Sequence, residues 1–210
     1  MVCTRLDHIV ITANSLDEGV RYIESVLGVP LAGGGQHPRM GTHNRLLRLG
    51  DDCYLEVIAI DPEAAPAQRP RWFGLDTRPT QPACLTTWVA RSTDIAATCA
   101  RASYMPGVVQ PMTRGSLSWQ ITIPDDGALQ EHGLLPAIIQ WDQPPGPAAS
   151  LPDQGCTLLS LDLFHPQSDV IEQQIDSLGF EGCVRVYPAH NDTAPAIKAL
   201  IQTPNGVRQL

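Results

Sequence analysis

Short apolar runs separated by turn residues recur along the chain, and most are too short for helices and alternate too regularly for loops. Leu6 to Thr12 reads as a strand. Asn14 or Ser15 then caps a helix from Leu16 to Leu27, whose Val20, Ile23, Val26 and Leu27 share one face, and Gly28 stops it. An edge-like stretch over Leu31 to Gln36, a strand over Asn44 to Leu49, a Gly50-Asp51-Asp52 turn and a strand over Cys53 to Ile60 complete the order β-α-β-β-β.

The same order returns further along. A strand over Cys84 to Ala90 precedes a helix from Thr93 to Ala102 and strands over Val108 to Met112, Leu117 to Ile123 and Leu134 to Trp141. A third start has a strand over Thr157 to Phe164, a helix from Ser168 to Leu178 ended by Gly179, and strands over Val184 to Tyr187 and Ile197 to Gln202. What repeats is the sequence of elements, not residue identity. Two stretches dense in turn formers divide the units: Pro62 to Pro82, with Pro66, Pro70, Gly74, Asp76 and Pro79, and Pro144-Pro145-Gly146-Pro147 through Pro152. The expected organisation is therefore paired modules at 1–62 and 83–142 within a region 1–142, and a shorter β-α-β-β unit at 153–210 packed on the same domain.

Composition narrows the function classes. Fourteen basic against 22 acidic side chains leave a net charge of −8, which opposes nucleic acid and anionic membrane surfaces. No apolar stretch approaches the roughly 20 residues of a membrane span, and Met1 to Asp7 lacks the apolar core of a secretory signal, so a cytoplasmic chain is expected. Cys3, Cys53, Cys84, Cys99, Cys156 and Cys183 form no Cys-x-x-Cys pair and read as reduced thiols. A small-molecule ligand is the remaining kind of partner, together with a homodimer through sheet edges of the short third unit.

His8 and Glu56 each lie within an apolar strand, where a polar side chain needs a partner. An imidazole and a carboxylate entering one hollow form half of a divalent-metal site, or a hydrogen-bonded pair that serves only the fold. By strand alternation His8 should share its face with Leu6 and Val10, and Glu56 with Tyr54 and Ile58. Between them, Gly33 to Arg45 concentrates His37, His43, Arg39 and Arg45 in an otherwise acidic chain, which suits contact with a carboxylate, phosphate or dicarbonyl oxygen, or simply a solvated loop. The triple glycine lacks the Gly-Lys-Ser/Thr of a phosphate loop, and no Gly-x-Ser-x-Gly turn is present. In the second unit, aligning Ile138 with Glu56 puts Gln140 on the site face, where its amide could meet a ligand while Trp119 or Trp141 forms an apolar wall.

Leu6-Asp7-His8-Ile9-Val10, His37-Pro38-x-x-Gly41-Thr42-x-Asn44-x-Leu46 and Tyr54-Leu55-Glu56-Val57-Ile58 resemble the glyoxalase-like domain of the vicinal oxygen chelate superfamily. Pro136-x-Ile138-Ile139-Gln140-Trp141-Asp142, His165-Pro166 and Thr203-Pro204-Asn205-Gly206 extend the resemblance over nearly the whole chain. It implies an α+β fold of repeated β-α-β-β-β modules whose curved sheets surround a cavity. It further implies metal ligands at His8 and Glu56, with Zn, Ni, Fe, Mn or Mg as the ion, and Glu56 as the catalytic carboxylate. His37, His43, Asn44, Arg45, Trp119, Gln140 and Trp141 are then the candidate substrate contacts. Thr87, at the first-strand place of the second module, is not a usual ligand, so the second half of the ligand set is altered. The resemblance implies an isomerase, lyase or dioxygenase acting on adjacent oxygens. The alternative is a non-catalytic protein that binds a drug or metabolite in the same cavity.

Overall fold

The computed structural model describes residues 3–78 and 81–210; Met1, Val2 and the linker residue Pro79 lie outside the described residues. In the first module, β1 (Thr4–Thr12) leads to α1 (Leu16–Leu27), then β2 (Ala32–His37), β3 (Thr42–Arg48) and β4 (Tyr54–Ile60). Ser15 caps the helix by accepting from the Glu18 amide at 3.2 Å, and Gly28 ends it at φ 71°, the left-handed conformation that glycine adopts without a Cβ penalty. The second module is β5 (Cys84–Ser92), α2 (Ile95–Arg101), β6 (Val108–Arg114), β7 (Leu117–Ile123) and β8 (Ala137–Trp141). Asp94 caps α2 through the Ala97 amide.

The two modules form one curled eight-stranded sheet in the order β2-β3-β4-β1-β5-β8-β7-β6. Within each module the first strand runs parallel to the last, β1 beside β4 and β5 beside β8, while β1 and β5 join the modules antiparallel. The end strands approach each other as the sheet curls. Arg39, in the turn after β2, bonds the Pro111 carbonyl at 2.8 Å and the Gln110 amide oxygen at 2.7 Å, both on β6. The α+β class and the curved modules around a hollow are as the sequence pattern and the resemblance imply.

The third unit is β9 (Thr157–His165), α3 (Ser168–Ser177), β10 (Val184–Pro188) and β11 (Ala196–Thr203), extended by a short hairpin strand β12 (Gly206–Gln209). Its order is β10-β9-β11-β12, so β9 pairs directly with both of its successors. It forms a separate four-stranded sheet that packs on the helix side of the large one. Leu161, Leu163, Ile171, Ile175 and Ala199 share a core there with Ile9, Ile11, Ile23, Leu55 and Trp88. Among the described residues no helix is long and apolar enough to cross a membrane.

The concave side of the large sheet holds a second, smaller core of Val10, Met40, Ile58, Trp72, Phe73, Val89, Trp119, Ile121, Ile139 and Trp141. Two of these, Trp72 and Phe73, come from the linker between modules, which folds a short 3-10 turn (Trp72–Thr77) over the hollow. Phe73 adopts φ 58°, ψ 25°, an uncommon conformation for a bulky residue that the surrounding packing must hold.

Candidate active site

Strand alternation fails at one place that matters. Leu6 belongs to the helix-side core, yet His8, two residues on, faces the hollow. The pairing of β1 with β5 shifts register between Leu6 and His8, so Asp7 is a bulge residue. The shift corrects the expectation that Leu6 and His8 share a face. It also turns Asp7 inward beside His8: the imidazole Nδ1–H donates to Asp7 Oδ1 at 2.7 Å, and the other carboxylate oxygen accepts from the Trp141 indole at 2.9 Å.

Parallel pairing places Tyr54 opposite His8 in β4 and brings Glu56 alongside. His8 Nε2 lies 3.5 Å from Glu56 Oε2, and its ring stacks on Tyr54 at 4.5 Å between centroids. The Asn44 amide donates to Glu56 Oε1 at 2.5 Å while its own oxygen accepts from the Gly35 backbone at 2.9 Å. His37 shares a hydrogen bond with the Thr42 hydroxyl at 3.1 Å and lies 3.5 Å from the Asn44 amide nitrogen. Asp7, His8, His37, Asn44 and Glu56 are all buried. The opposite wall, of Trp72, Phe73, Trp119, Ile121, Ile139 and Trp141, is apolar. The hollow has a free volume of about 20 Å³, room for about one water.

Charge inside this hollow is set by competition between burial and partners. Burial opposes the imidazolium of His8, but hydrogen bonds and charge from Asp7 and Glu56 outweigh it and raise the pKa to about 9. Burial likewise disfavours ionised Glu56, and His8, His37 and Asn44 together overcome it, lowering the pKa to about 2. His37 goes the other way. Burial, joined by the positive fields of Arg114, His43 and His8, outweighs the pull of Glu56 and lowers His37 to about 4. Near neutral pH the site thus holds an imidazolium–carboxylate pair beside a neutral imidazole.

These shifts fix a pH dependence of folding. His8, raised from 6.5 to about 9, adds stability that is complete below pH 6.5 and is lost as pH rises through 9. His37, lowered from 6.5 to about 4, adds stability that is present above pH 6.5 and is lost as pH falls toward 4. Glu56, lowered from 4.5 to about 2, contributes fully above pH 4.5 and loses its share only as pH falls through 2. Urea midpoints should therefore peak near pH 6.5 and fall on both sides, and His37→Asn should flatten the acid limb. Midpoints that stay level from pH 4 to 9 would contradict these assignments.

The other expected contacts divide by strand parity. Thr42, Asn44 and Leu46 are buried on one face of β3, where Asn44 reaches Glu56, which puts His43 and Arg45 on the opposite face. His43 lies 3.9 Å from Asp61, and Arg45 bonds the Asn44 carbonyl, so neither lines the hollow. In β8 the inward residues are Ile139 and Trp141, while Ile138 joins the helix-side core. Gln140 points the same way as Ile138 and accepts from the Ile95 amide at 2.7 Å, at the start of α2. The alignment of Ile138 with Glu56 was off by one residue, and Gln140 is a helix-end partner rather than a site residue. Trp119 and Trp141 do form the expected wall.

Sequence reasoning missed Asp7, Trp72, Phe73 and Arg114. Asp7 needed the bulge, which leaves no compositional mark. Trp72 and Phe73 carried a readable signal, since two large aromatic groups in a proline-rich linker gain most by folding back onto a core.

A family model described as a glyoxalase-like domain matches residues 6–179. The chain belongs to this family. The first-module motifs that carry the sequence resemblance to the vicinal oxygen chelate superfamily, from Leu6 to Ile58, lie within the matched residues. Among solved structures, a hypothetical protein from Staphylococcus aureus shares the fold at TM-score 0.63 and 14% identity, over 92% of this chain and 90% of that one. Methylmalonyl-CoA epimerases from Streptomyces coelicolor (TM-score 0.44, 19% identity, 66% of this chain and 98% of that one) and Mycobacterium tuberculosis (0.42, 19%, 69% and 91%) are more distant in shape. None of the curated proteins compared with the chain matches it.

Members of this superfamily commonly use a divalent metal, and the donor set tests whether these residues fit one. His8 and Glu56 stand at the expected places, but they face each other directly. The Thr87 hydroxyl, at the equivalent place in the second module, is committed to the Gly133 carbonyl at 2.9 Å. The facing wall offers indole and aliphatic groups. Among the described residues no group of three or more His, Cys, Asp or Glu side chains comes together to hold an ion. A four- to six-ligand shell of protein donors does not fit here.

Proposed function

We propose that this glyoxalase-like protein is an enzyme that moves a proton on a small polar molecule bearing adjacent oxygens, by acid–base chemistry of its own side chains. The buried Asp7–His8–Glu56–Asn44 chain on one wall of a hollow supports this reading. His8 carries an Nε2–H held in place by Asp7, and a substrate carbonyl entering the hollow can take that hydrogen bond from Glu56. An imidazolium beside a developing oxyanion stabilises it. Glu56, relieved of the His8 hydrogen bond, then gains proton affinity because its burial is less fully offset, and it accepts the proton from the carbon next to the carbonyl. The aromatic wall excludes water and fixes the plane of the substrate.

The test is solvent exchange. Incubation with methylglyoxal-glutathione adduct and a series of small 2-oxo compounds in heavy water should show enzyme-dependent deuterium at the carbon beside the carbonyl, read by NMR. Turnover should persist in protein dialysed against EDTA, and metal analysis should find less than one equivalent. Activity that vanishes with EDTA and returns with one cation would overturn the acid–base reading in favour of a divalent ion such as Zn, Ni, Fe, Mn or Mg.

The second reading is a binding protein without turnover. The low pKa of Glu56 favours it, since a carboxylate held at about 2 is a weak base until something displaces its partners. A ligand that raises the melting temperature with no exchange in any compound would select that reading.

A further inference from the structure

Arg114 is the last residue of β6 and pairs with Leu117, two pairs beyond the Met112–Trp119 pair of the concave core. Its aliphatic stem crosses Gly35 of β2, where a Cβ would come within 3.3 Å of both its Cγ and Cδ. The absence of a side chain at position 35 makes room for that stem. Arg114 lines two spaces at once: the small hollow with His8, Glu56 and Tyr54, and an open groove of about 660 Å³ beside Gly33, Gly34, Gly35, Thr113 and Ser116. Its positive field reaches His37 and Tyr54.

Arg114 as a residue is half-buried, and its guanidinium has no side-chain hydrogen-bond or ion-pair partner among the described residues. Arg48, Arg71 and Arg91, by contrast, each face an aspartate. A second unused donor lines the same hollow: Trp72 Nε1 is buried and unpartnered. A buried donor without an acceptor is rare, and the Trp72 indole marks a place where an acceptor is missing; Arg114, part-exposed beside it, is a cation that no side chain among the described residues engages. A planar fork of N–H groups is matched best by a carboxylate. The site already holds Asp7 and Glu56, so a monoanion is better tolerated than a phosphate ester of nearly two charges.

We infer that Arg114 is the recognition cation for a carboxylate, and that the ligand of this site is a short acid whose carboxylate meets Arg114 while its adjacent oxygen reaches His8. This rests on the proposed function for the placing of the reactive oxygen, but Arg114-dependent binding stands apart from turnover.

Thermal shift and calorimetric titration of the full chain with pyruvate and 2-oxobutyrate test it, with the neutral pyruvamide and inorganic phosphate as controls. At least one acid should stabilise the protein, and pyruvamide and phosphate should bind at least about tenfold more weakly. Arg114→Gln should lose about tenfold or more in affinity for the acid with an unchanged circular dichroism spectrum, and Arg114→Lys should fall between. Should Arg114→Gln fail to fold, Arg114→Lys and the weakening of binding by added salt carry the same comparison. The inference is overturned if neither acid binds, if acid and amide bind alike, if phosphate binds best, or if both folded variants bind the acid as the parent does. Acid that binds through Arg114 without exchange would remove the catalytic reading and leave this one. Exchange on neutral compounds that ignores Arg114→Gln would do the reverse.

Discussion

Replacing Glu56 with glutamine should lower kcat/KM by about 10²–10⁴-fold for any compound that shows proton exchange, because the variant lacks the group that takes the proton. The fold should survive. A glutamine side-chain oxygen can still accept from Asn44, and its NH2 group faces His8 Nε2, an arrangement that favours a neutral, accepting imidazole. The same substitution therefore carries an internal control: the His8 pKa, held at about 9 by two carboxylates, should drop when one becomes an amide. Proton NMR of the ring reports that drop whether or not a substrate is known. Full exchange activity in the Glu56→Gln protein would end the catalytic assignment, and an unmoved His8 titration would show that the pair is not coupled as the geometry requires.

The largest loss of stability is expected at Trp88 in β5. It has no exposed surface, its indole donates to the Leu134 carbonyl at 2.8 Å, and its ring meets Phe180 edge-on at 5.2 Å between centroids. The ring thus ties the large sheet to the C-terminal unit. Trp88→Ala removes a large apolar side chain at a site with little room to collapse, at about 3–5 kcal/mol. It also strands a buried carbonyl, for a further ~1–3 kcal/mol. Melting should fall by on the order of 10 °C for a chain of this size. Trp88→Phe keeps most of the packing and should lose less, chiefly the hydrogen bond. A loss below about 1 kcal/mol for the alanine variant would mean that the contact with the C-terminal unit is not part of the cooperative core.

Much of this architecture was legible because each module's elements are short and sharply bounded. Ser15 and Gly28 mark both ends of α1 in the sequence as they do in space. The β-α-β-β-β order of the two modules could be followed although they share little identity, since the period of apolar positions is what each strand needs to bury a face. His8 and Glu56 were legible for a related reason: a polar residue in an apolar strand is costly without a partner, and beside each other they also found Asp7 and Asn44.

What could not be read was parity. A residue's face depends on every bulge and register shift before it, so a slip of one residue exchanges inside for outside. Gln140 was lost to such a slip in the alignment of β8, and Asp7 was hidden by a bulge in β1. His43 and Arg45 were attractive as charged groups near glycines, but parity in β3 belongs to Asn44, whose amide looks unremarkable in sequence and holds Glu56 in space. Arg114 sits at a strand end before a glycine turn, where nothing in the sequence distinguishes a surface charge from one aimed inward.

The approach of β2 and β6 has a mechanical consequence. Every interior strand of the large sheet is laced to neighbours on both flanks, whereas these two terminal strands have one laced flank each, and among the described residues no ladder stitches them together. Arg39 fastens the rim at a single point. Widening the enclosure along this unlaced seam breaks fewer main-chain bonds than widening it anywhere else around the wall. The compliant line of the molecule therefore runs past Gly35 and Arg114, between the open furrow and the small chamber.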